Sequence, residues 1–258
     1  GLPADFKILD QTAVWLLIRQ NLGKFQLNYY RTLGNPTKFV QALISHFSHC
    51  KDQGIYPEDY LKYSDRLKTS LDDLPENQET ERIKEVANAY HVYQRLLLEN
   101  SVLDFGDLIN YCLKLFLKRP MILKKYREKF KYILVDEFQD TNWAQYELIK
   151  ILAAPKNNLT VTADDDQAIY RWRGASFSNI VQFKKDFPRA KQVSLVKNYR
   201  SAQNILDLAY KFIKANNPDR LEFVNKIDKK LIAEKKGTGA IEHIHAKTLD
   251  EEVRETIK

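Results

Sequence analysis

Acidic, amide and guanidinium side chains follow three short apolar runs in the sequence. Asp136 and Glu137 come after the first run, an acidic stretch ending in Gln167 comes after the second, and Arg200 comes shortly after the third. Carboxylates can hold Mg²⁺ or accept a proton from water, whereas amide and guanidinium groups can stabilise the charge that builds on a γ-phosphate. These residue types together suit phosphoryl transfer. The three apolar runs are Tyr132–Val135, Leu159–Ala163 and Val193–Val196.

The elements that must position these groups are predicted to be parallel strands. Helical spacing of apolar residues near 143–153 and 177–187 separates the three runs, and alternating strands and helices are typical of a parallel sheet with crossover helices. Ligands bind at the carboxyl ends of the strands in such sheets, so we expect the polar groups on one rim. At one strand end alone, capping of the next helix explains such residues equally well. Three ends together favour a functional site.

Residues from about 10 to 130 are predicted to form an all-helical subdomain, because their apolar residues recur at helical spacing. One helix is expected to begin at Pro36 and end at Gly54, a second to span about 77–99, and a third to run from Asp104 to Pro120. Their expected inward-facing residues are Phe39, Leu43, Phe47, Cys50, Ile83, Val86, Tyr90, Tyr93, Leu97, Ile109, Cys112, Leu113 and Phe116.

The C-terminal part is predicted to contain a helix after Ser201, a linker and a short final unit. The linker is expected at 214–236, which is rich in Lys, Asn and Asp, and Ala240–His245 is expected to be a strand. Thr248 and Glu251 have the spacing of a capping box, which predicts the start of a last helix.

Composition is that of an ordinary globular chain, with 44% hydrophobic and 29% charged residues among 258. The net charge of +7 is compatible with a polyanionic partner, and no apolar run approaches the roughly 18 residues of a membrane span. Cys50 and Cys112 lie in apolar helical patterns and are predicted to be reduced core residues of a cytoplasmic protein. Since the chain begins at Gly1 and has a single Met, it is expected to be an excised piece.

Three segments resemble motifs II, III and IV of superfamily 1 DNA helicases of the UvrD/PcrA/Rep type, in order and spacing. They read YILVDEFQDTN at Tyr132–Asn142, DDDQAIYRWRGA at Asp164–Ala175 and LVKNYRS at Leu195–Ser201. Upstream, LPADFKILD and LDFGDLI resemble the boundaries of that family's helical 1B subdomain. The resemblance implies an α/β fold in which a P-loop NTPase (RecA-like) parallel-sheet portion accompanies an all-helical subdomain. It divides the chain into a 1B-like part (1–130), the distal part of the 1A ATPase core (131–215), and a linker with the start of 2A (216–258).

The resemblance also implies roles for individual residues. Asp136 is expected to hold Mg²⁺, and Glu137, beside the metal, to act as general base toward the attacking water. Gln167 is expected to sense the γ-phosphate of ATP, Arg200 to act as an arginine finger, and Tyr199 to stack on adenine. The residues expected to contact single-stranded DNA are Tyr170, Trp172, Arg173 and Phe105.

The implied function is that of an ATP-dependent DNA helicase, which moves 3′ to 5′ on single-stranded DNA and unwinds duplex DNA in repair or replication. The expected partners are single-stranded and duplex DNA and the rest of the helicase chain, with no membrane. Two alternatives stay open: the ATPase part of a RecB/AddA-like helicase–nuclease, and a DNA-binding or docking module without motor activity. Intact acidic, amide and guanidinium positions in the motifs argue against the last.

The sequence departs from the family at several points. No G-x-x-x-x-G-K-[ST] loop occurs, and motif Ia and motifs V and VI are missing, so we expect the chain by itself to hydrolyse ATP negligibly. Ala163 and Ala168 replace the Gly and Ser usual in motif III. The basic segment Lys114–Lys131 could track phosphates but is more typical of a solvated helix face. The histidines, including His243 and His245, show no metal-ligand spacing.

Overall fold

The computed structural model describes residue 3 and residues 5–69, 78–168, 177–218 and 220–257. The chain divides into two compact units, Gly1–Lys185 and Asp186–Lys258. Both contain helices and short parallel strands, which confirms the α/β class. Within the described ranges, no helix combines the length and the apolar character needed to cross a membrane. The three-part division at 130 and 215 stays a prediction.

The first part of the larger unit is helical, as predicted, and is joined by one short pair of parallel strands. In β1 and β2, Lys7 lies opposite Val102 and Ile8 opposite Leu103. The elements are β1 (Lys7–Ile8), α1 (Gln11–Gln20), α2 (Val40–Asp52), α3 (Pro57–Thr69), α4 (Gln78–Glu99), β2 (Val102–Leu103), α5 (Phe105–Lys118) and α6 (Pro120–Lys129), with a 3-10 turn at Leu22–Phe25.

An aromatic and aliphatic core holds these helices together. Phe47 of α2 packs between Tyr90 and Tyr93 of α4, with ring centroids 5.0 and 5.2 Å apart, and all three side chains are buried. The predicted start of α2 at Pro36 is wrong. Residues 36–39 form turns instead, in which Asn35 accepts hydrogen bonds from the backbone N–H and hydroxyl of Thr37, so the helix begins at Val40.

A buried ion cluster fixes the start of α5. Lys51 is 2% exposed, and its Nζ lies 2.5 Å from Asp104 Oδ2 and 2.9 Å from Asp107 Oδ1. The hydroxyl of Tyr93 donates to the same Asp104 oxygen at 2.7 Å. Asp104 and Asp107 also form the capping box of α5. We call Lys51, Tyr93, Asp104 and Asp107 the Lys51 cluster.

The residue next to Lys51 attaches α2 to a later helix. Asp52 Oδ1 accepts a hydrogen bond from Asn142 Nδ2 at 2.7 Å, and Asn142 is the N-cap of α7 (Trp143–Ala153). Burial raises the pKa of Asp52 to about 6. The end of α2 therefore contacts the starts of both α5 and α7.

The raised pKa of Asp52 predicts a pH-dependent gain from Asp52→Asn. The folded chain binds this proton more tightly than the unfolded chain, so the stabilisation by protonated Asp52 is lost as pH rises from about 4 through about 6. Asparagine cannot ionise and can still accept from Asn142. We expect thermal melting about 2–4 °C above wild type at about pH 8 and no gain at about pH 4.5. The control Asp59→Asn, at an exposed carboxylate, should show no such pH dependence.

Two parallel strands form the sheet that follows the helical part. In β3 (Ile133–Val135) and β4 (Leu159–Val161), Ile133 lies opposite Leu159 and Val135 opposite Val161. The crossover between them contains α7, and β4 is followed after several residues by α8 (Phe177–Asp186). The predictions for the first two apolar runs and for both helices are confirmed.

The smaller unit departs from its predictions in several places. The strand after the third run is β5 (Lys197–Asn198), not Val193–Val196, and it pairs with β6 (Ile232–Ala233) in a separate two-stranded parallel sheet. The predicted linker at 214–236 contains β6 and the short helix α10 (Leu221–Val224), and residues 240–245 form no strand. The helices predicted after Ser201 and after Thr248 are present as α9 (Gln203–Ile213) and α11 (Leu249–Ile257).

The two cysteines differ in environment. Cys50 is buried, and burial raises the pKa of its thiol to about 11, which fits a reduced core residue. Cys112 is exposed, so its prediction as a core residue is wrong. Helix α5 buries Leu113 and Phe116 on its inner face and leaves position 112 on the outer one.

Candidate active site

The ends of β3 and β4 are hydrogen-bonded to each other beyond the last paired residues. Thr162 N donates to Val135 O at 2.9 Å, and Phe138 N donates to Thr162 O at 2.8 Å. The segment Asp136–Glu137 therefore lies beside Thr162. This confirms that the first two predicted strand ends share one rim.

Asp136 is exposed at this rim, and the hydroxyl of Thr162 donates to its Oδ1. Mg²⁺ prefers hard oxygen ligands and is commonly bound through one or two carboxylates together with substrate phosphates. An exposed carboxylate fixed by a hydroxyl fits that requirement. Sequence reasoning missed Thr162, although its place directly after a predicted strand could have identified it.

Glu137 has an unusual backbone conformation. Its φ of 51° and ψ of 45° lie in the left-handed region, which non-glycine residues rarely adopt and which is frequent at functional sites. Its exposed carboxylate accepts a hydrogen bond from Gln139 Nε2 at 2.5 Å. The turn thus directs one carboxylate to solvent and holds it with a neighbouring amide.

Gln167 ends the 3-10 turn Asp165–Gln167 that follows β4. Its exposed side chain donates from Nε2 to Asp164 Oδ2 at 2.8 Å. The carboxylate oxygens of Asp164, Asp165 and Asp166 lie within 4.8 Å of one another. Because Asp164 already accepts from Gln167 and from Asp166 N, we read this group as the anchor of the turn.

The turn after β3 is supported from below by two helices. Phe138 is fully buried, with its ring 5.4 Å from Tyr146 of α7 and 5.5 Å from Phe183 of α8. Asn179 of α8, also fully buried, donates from Nδ2 to Thr141 O at 2.9 Å. The polar rim is therefore built on a packed apolar base, and sequence reasoning did not identify Asn179.

Arg200 and Tyr199 belong to the smaller unit, where both side chains are exposed. The turn that carries them is fixed by Asn198, whose Oδ1 accepts from the backbone N–H groups of Arg200 and Ser201 at 3.0 and 2.9 Å. Their approach to Glu137 and Gln167 stays a prediction.

Among the residues predicted to contact DNA, Phe105 is described and is 67% exposed at the first position of α5. The Lys51 cluster fixes the turn that presents it. Tyr170, Trp172 and Arg173 lie outside the described residues. In the basic segment, Arg127 donates to Ile151 O at 2.8 and 2.6 Å, so this cation binds the end of α7.

Comparison with known proteins identifies similar sequences. The family model for the UvrD/REP helicase N-terminal domain matches residues 1–188. DNA helicase II of Haemophilus influenzae is 42% identical over 221 residues, which is 86% of this chain and 27% of that protein. ATP-dependent DNA helicase PcrA of Leuconostoc citreum is 37% identical over 254 residues, 98% of this chain and 30% of that protein. PcrA of Staphylococcus aureus is 47% identical over 220 residues, 85% of this chain and 27% of that protein. The chain thus spans about three tenths of the length of these relatives.

Proposed function

Because the chain belongs to the UvrD/REP helicase family, we propose that it is the part of an ATP-dependent DNA helicase that supplies the general base and the γ-phosphate sensor. The observation that supports this most directly is the rim formed by β3 and β4, where Asp136, Glu137 and the Gln167 turn meet. The proposal includes a RecA-like P-loop NTPase fold for this region and the division into 1B, 1A and 2A parts at 130 and 215.

In the proposed reaction, water attacks the γ-phosphorus of ATP and the bond to the β-phosphate oxygen breaks. Glu137 accepts the proton of the attacking water, and its exposed carboxylate is free to receive it. Gln167 donates to a γ-phosphate oxygen. Asp136 would hold Mg²⁺, which neutralises charge on the phosphates.

The smaller unit is proposed to complete the site. Arg200 supplies positive charge to the transferring phosphoryl group, and Tyr199 stacks on the adenine ring, as the resemblance implies. Both side chains are exposed in their own unit, as residues that meet a ligand must be. Closure of this unit on the rim would then depend on ATP.

The DNA track is proposed to include Phe105, Tyr170, Trp172 and Arg173. A base stacked on an aromatic ring contributes about 1–3 kcal/mol irrespective of base identity, which suits movement along any sequence. The exposed ring of Phe105 is already held in place by a capped helix, so little ordering is required when it binds. Movement from 3′ to 5′, and a role in repair or replication, are part of this proposal.

Phe105→Ala and Trp172→Ala in the full-length enzyme should each weaken binding of single-stranded DNA by about ten- to hundredfold, because each removes one stacking surface. The loss should be similar for oligo-dT and for mixed sequences. Fluorescence anisotropy titration measures it. Leu117→Ala is the matched control for Phe105, since Leu117 is 70% exposed on the same helix and should leave affinity unchanged. Equal affinities of Phe105→Ala and wild type would return Phe105 to an ordinary surface residue.

The proposed function is tested by unwinding assays on the full-length enzyme. Wild type should unwind a partial duplex with a 3′ single-stranded tail in the presence of ATP and Mg²⁺, and should fail on the same duplex with a 5′ tail. Single-stranded DNA should stimulate its ATP hydrolysis, and Glu137→Gln should serve as the inactive control. DNA binding with no ATP turnover by wild type would contradict the proposal and favour a docking module.

A further inference from the structure

Gln139 is buried between the two strand ends, with 1% of its surface exposed, and both ends of its amide are hydrogen-bonded. Its Oε1 accepts from the backbone N–H of Asp164 at 3.0 Å, and its Nε2 donates to Glu137 Oε2 at 2.5 Å. The backbone N–H of Asp164 can only donate, so the oxygen of the amide must face it. The amide nitrogen must then face Glu137, which fixes the orientation of the side chain by chemistry.

This amide lies in an unbroken series of hydrogen bonds between the two strand ends. From Gln139 the series reaches Glu137 on one side and the backbone of Asp164 on the other. Asp164 Oδ2 accepts in turn from Gln167 Nε2 at 2.8 Å. Glu137 and Gln167 are thus joined through two intervening residues.

Gln139 itself is rigidly placed. The residue before it, Phe138, is fully buried and donates its backbone N–H to Thr162 O. An exposed glutamate has several rotamers available, and a donor fixed beside it selects one of them. A hydrogen bond to a carboxylate also favours its ionised form.

From these contacts we propose that Gln139 is a positioning residue for ATP hydrolysis. Its amide orients the carboxylate of Glu137 toward the attacking water, keeps that carboxylate ionised, and links its orientation to the turn that carries Gln167. The inference rests on the proposed function, because it takes Glu137 as the general base.

Two substitutions in the full-length enzyme test this inference. Gln139→Leu removes both hydrogen bonds at similar volume. Gln139→Glu keeps the shape and the bond from Asp164 N, but it places a second carboxylate against Glu137. In both variants we expect kcat to fall about tenfold or more, with KM for ATP within about twofold. The acidic limb of the kcat–pH profile should move up by about one pH unit, because Glu137 loses its donor.

The control variant is Gln145→Leu. Gln145 also accepts a backbone hydrogen bond, from Asn142 N at 2.9 Å, but it does not contact Glu137. Its kcat–pH profile should match that of wild type. A merely structural role for Gln139 predicts that Gln139→Glu behaves like wild type, because the bond to Asp164 N is retained.

The outcomes separate the inference from the proposed function. If Glu137→Gln keeps wild-type turnover, the general-base assignment fails, and the inference fails with it. If Glu137→Gln is inactive while Gln139→Glu shows wild-type kcat and an unshifted acidic limb, the inference alone is overturned. Circular dichroism checks folding, and should Gln139→Leu not fold, the isosteric Gln139→Glu decides the matter.

Discussion

Replacing Glu137 with glutamine in the full-length enzyme should lower kcat for ATP hydrolysis by about 10²–10⁴-fold, the range typical of a lost general base. Glutamine has nearly the shape of glutamate and can still accept from Gln139 through its carbonyl oxygen, but it cannot take a proton from water. Binding of ATP should therefore stay within about twofold of wild type. Steady-state turnover and titration with a fluorescent ATP analogue measure the two quantities.

The matched control for this substitution is Glu147→Gln on α7. Glu147 forms a part-exposed ion pair with Lys150 at 2.9 Å and has no assigned part in the chemistry, so its removal should leave kcat unchanged. Comparable turnover in Glu137→Gln and Glu147→Gln would show that another group accepts the proton. A parallel loss of ATP affinity in Glu137→Gln would instead indicate a role in holding the nucleotide.

The rim of the site was predictable because its signals are local. Each of the first two apolar runs is short, is followed by polar residues, and is separated from the next run by a stretch with helical spacing, so strand ends and their acids could be placed together. Glu137 and Gln167 are identified by residue type and order alone. Their local environment is not, since an exposed position and a left-handed backbone leave no mark in an apolar pattern.

Gln139 and Lys51 were missed for a different physical reason. A polar side chain is buried only where distant residues supply its hydrogen bonds, and such partners are not visible in a local pattern. Gln139 does stand two residues after Glu137, within the segment that resembles motif II, so its neighbourhood was a weak signal. Lys51 pairs with Asp104 and Asp107, far along the chain.

The third strand shows where apolar composition misleads. Val193 and Leu195 are 78% and 83% exposed in the smaller unit, so the apolar run is not a buried strand. The strand itself, Lys197–Asn198, is polar and pairs with Ile232–Ala233, in a segment whose Lys-rich composition predicted a linker. Strand pairing over such a distance depends on tertiary contacts, which override local propensity.

Lys51→Met should lower the free energy of unfolding of the chain by about 3–5 kcal/mol, the usual cost of removing one partner from a buried ion pair. Methionine keeps the apolar stem that packs on Gly106, where an added Cβ would lie 2.8 Å from Lys51 Cβ, so lost packing contributes little. Two buried carboxylates are left without their cation. Urea titration followed by far-ultraviolet circular dichroism measures the change.

The pH dependence and a control distinguish lost charge pairing from a general defect. Burial already raises the pKa of Asp107, and the Lys51 charge opposes that rise. Without Lys51 the folded state should bind protons more tightly, so the deficit should be larger at about pH 8 than at about pH 5. Lys24→Met removes an exposed cation 3.8 Å from Glu99 and should change stability by no more than about 0.5 kcal/mol. A Lys51→Met deficit that is independent of pH would mean that packing against Gly106, and not pairing with the carboxylates, holds the turn that presents Phe105.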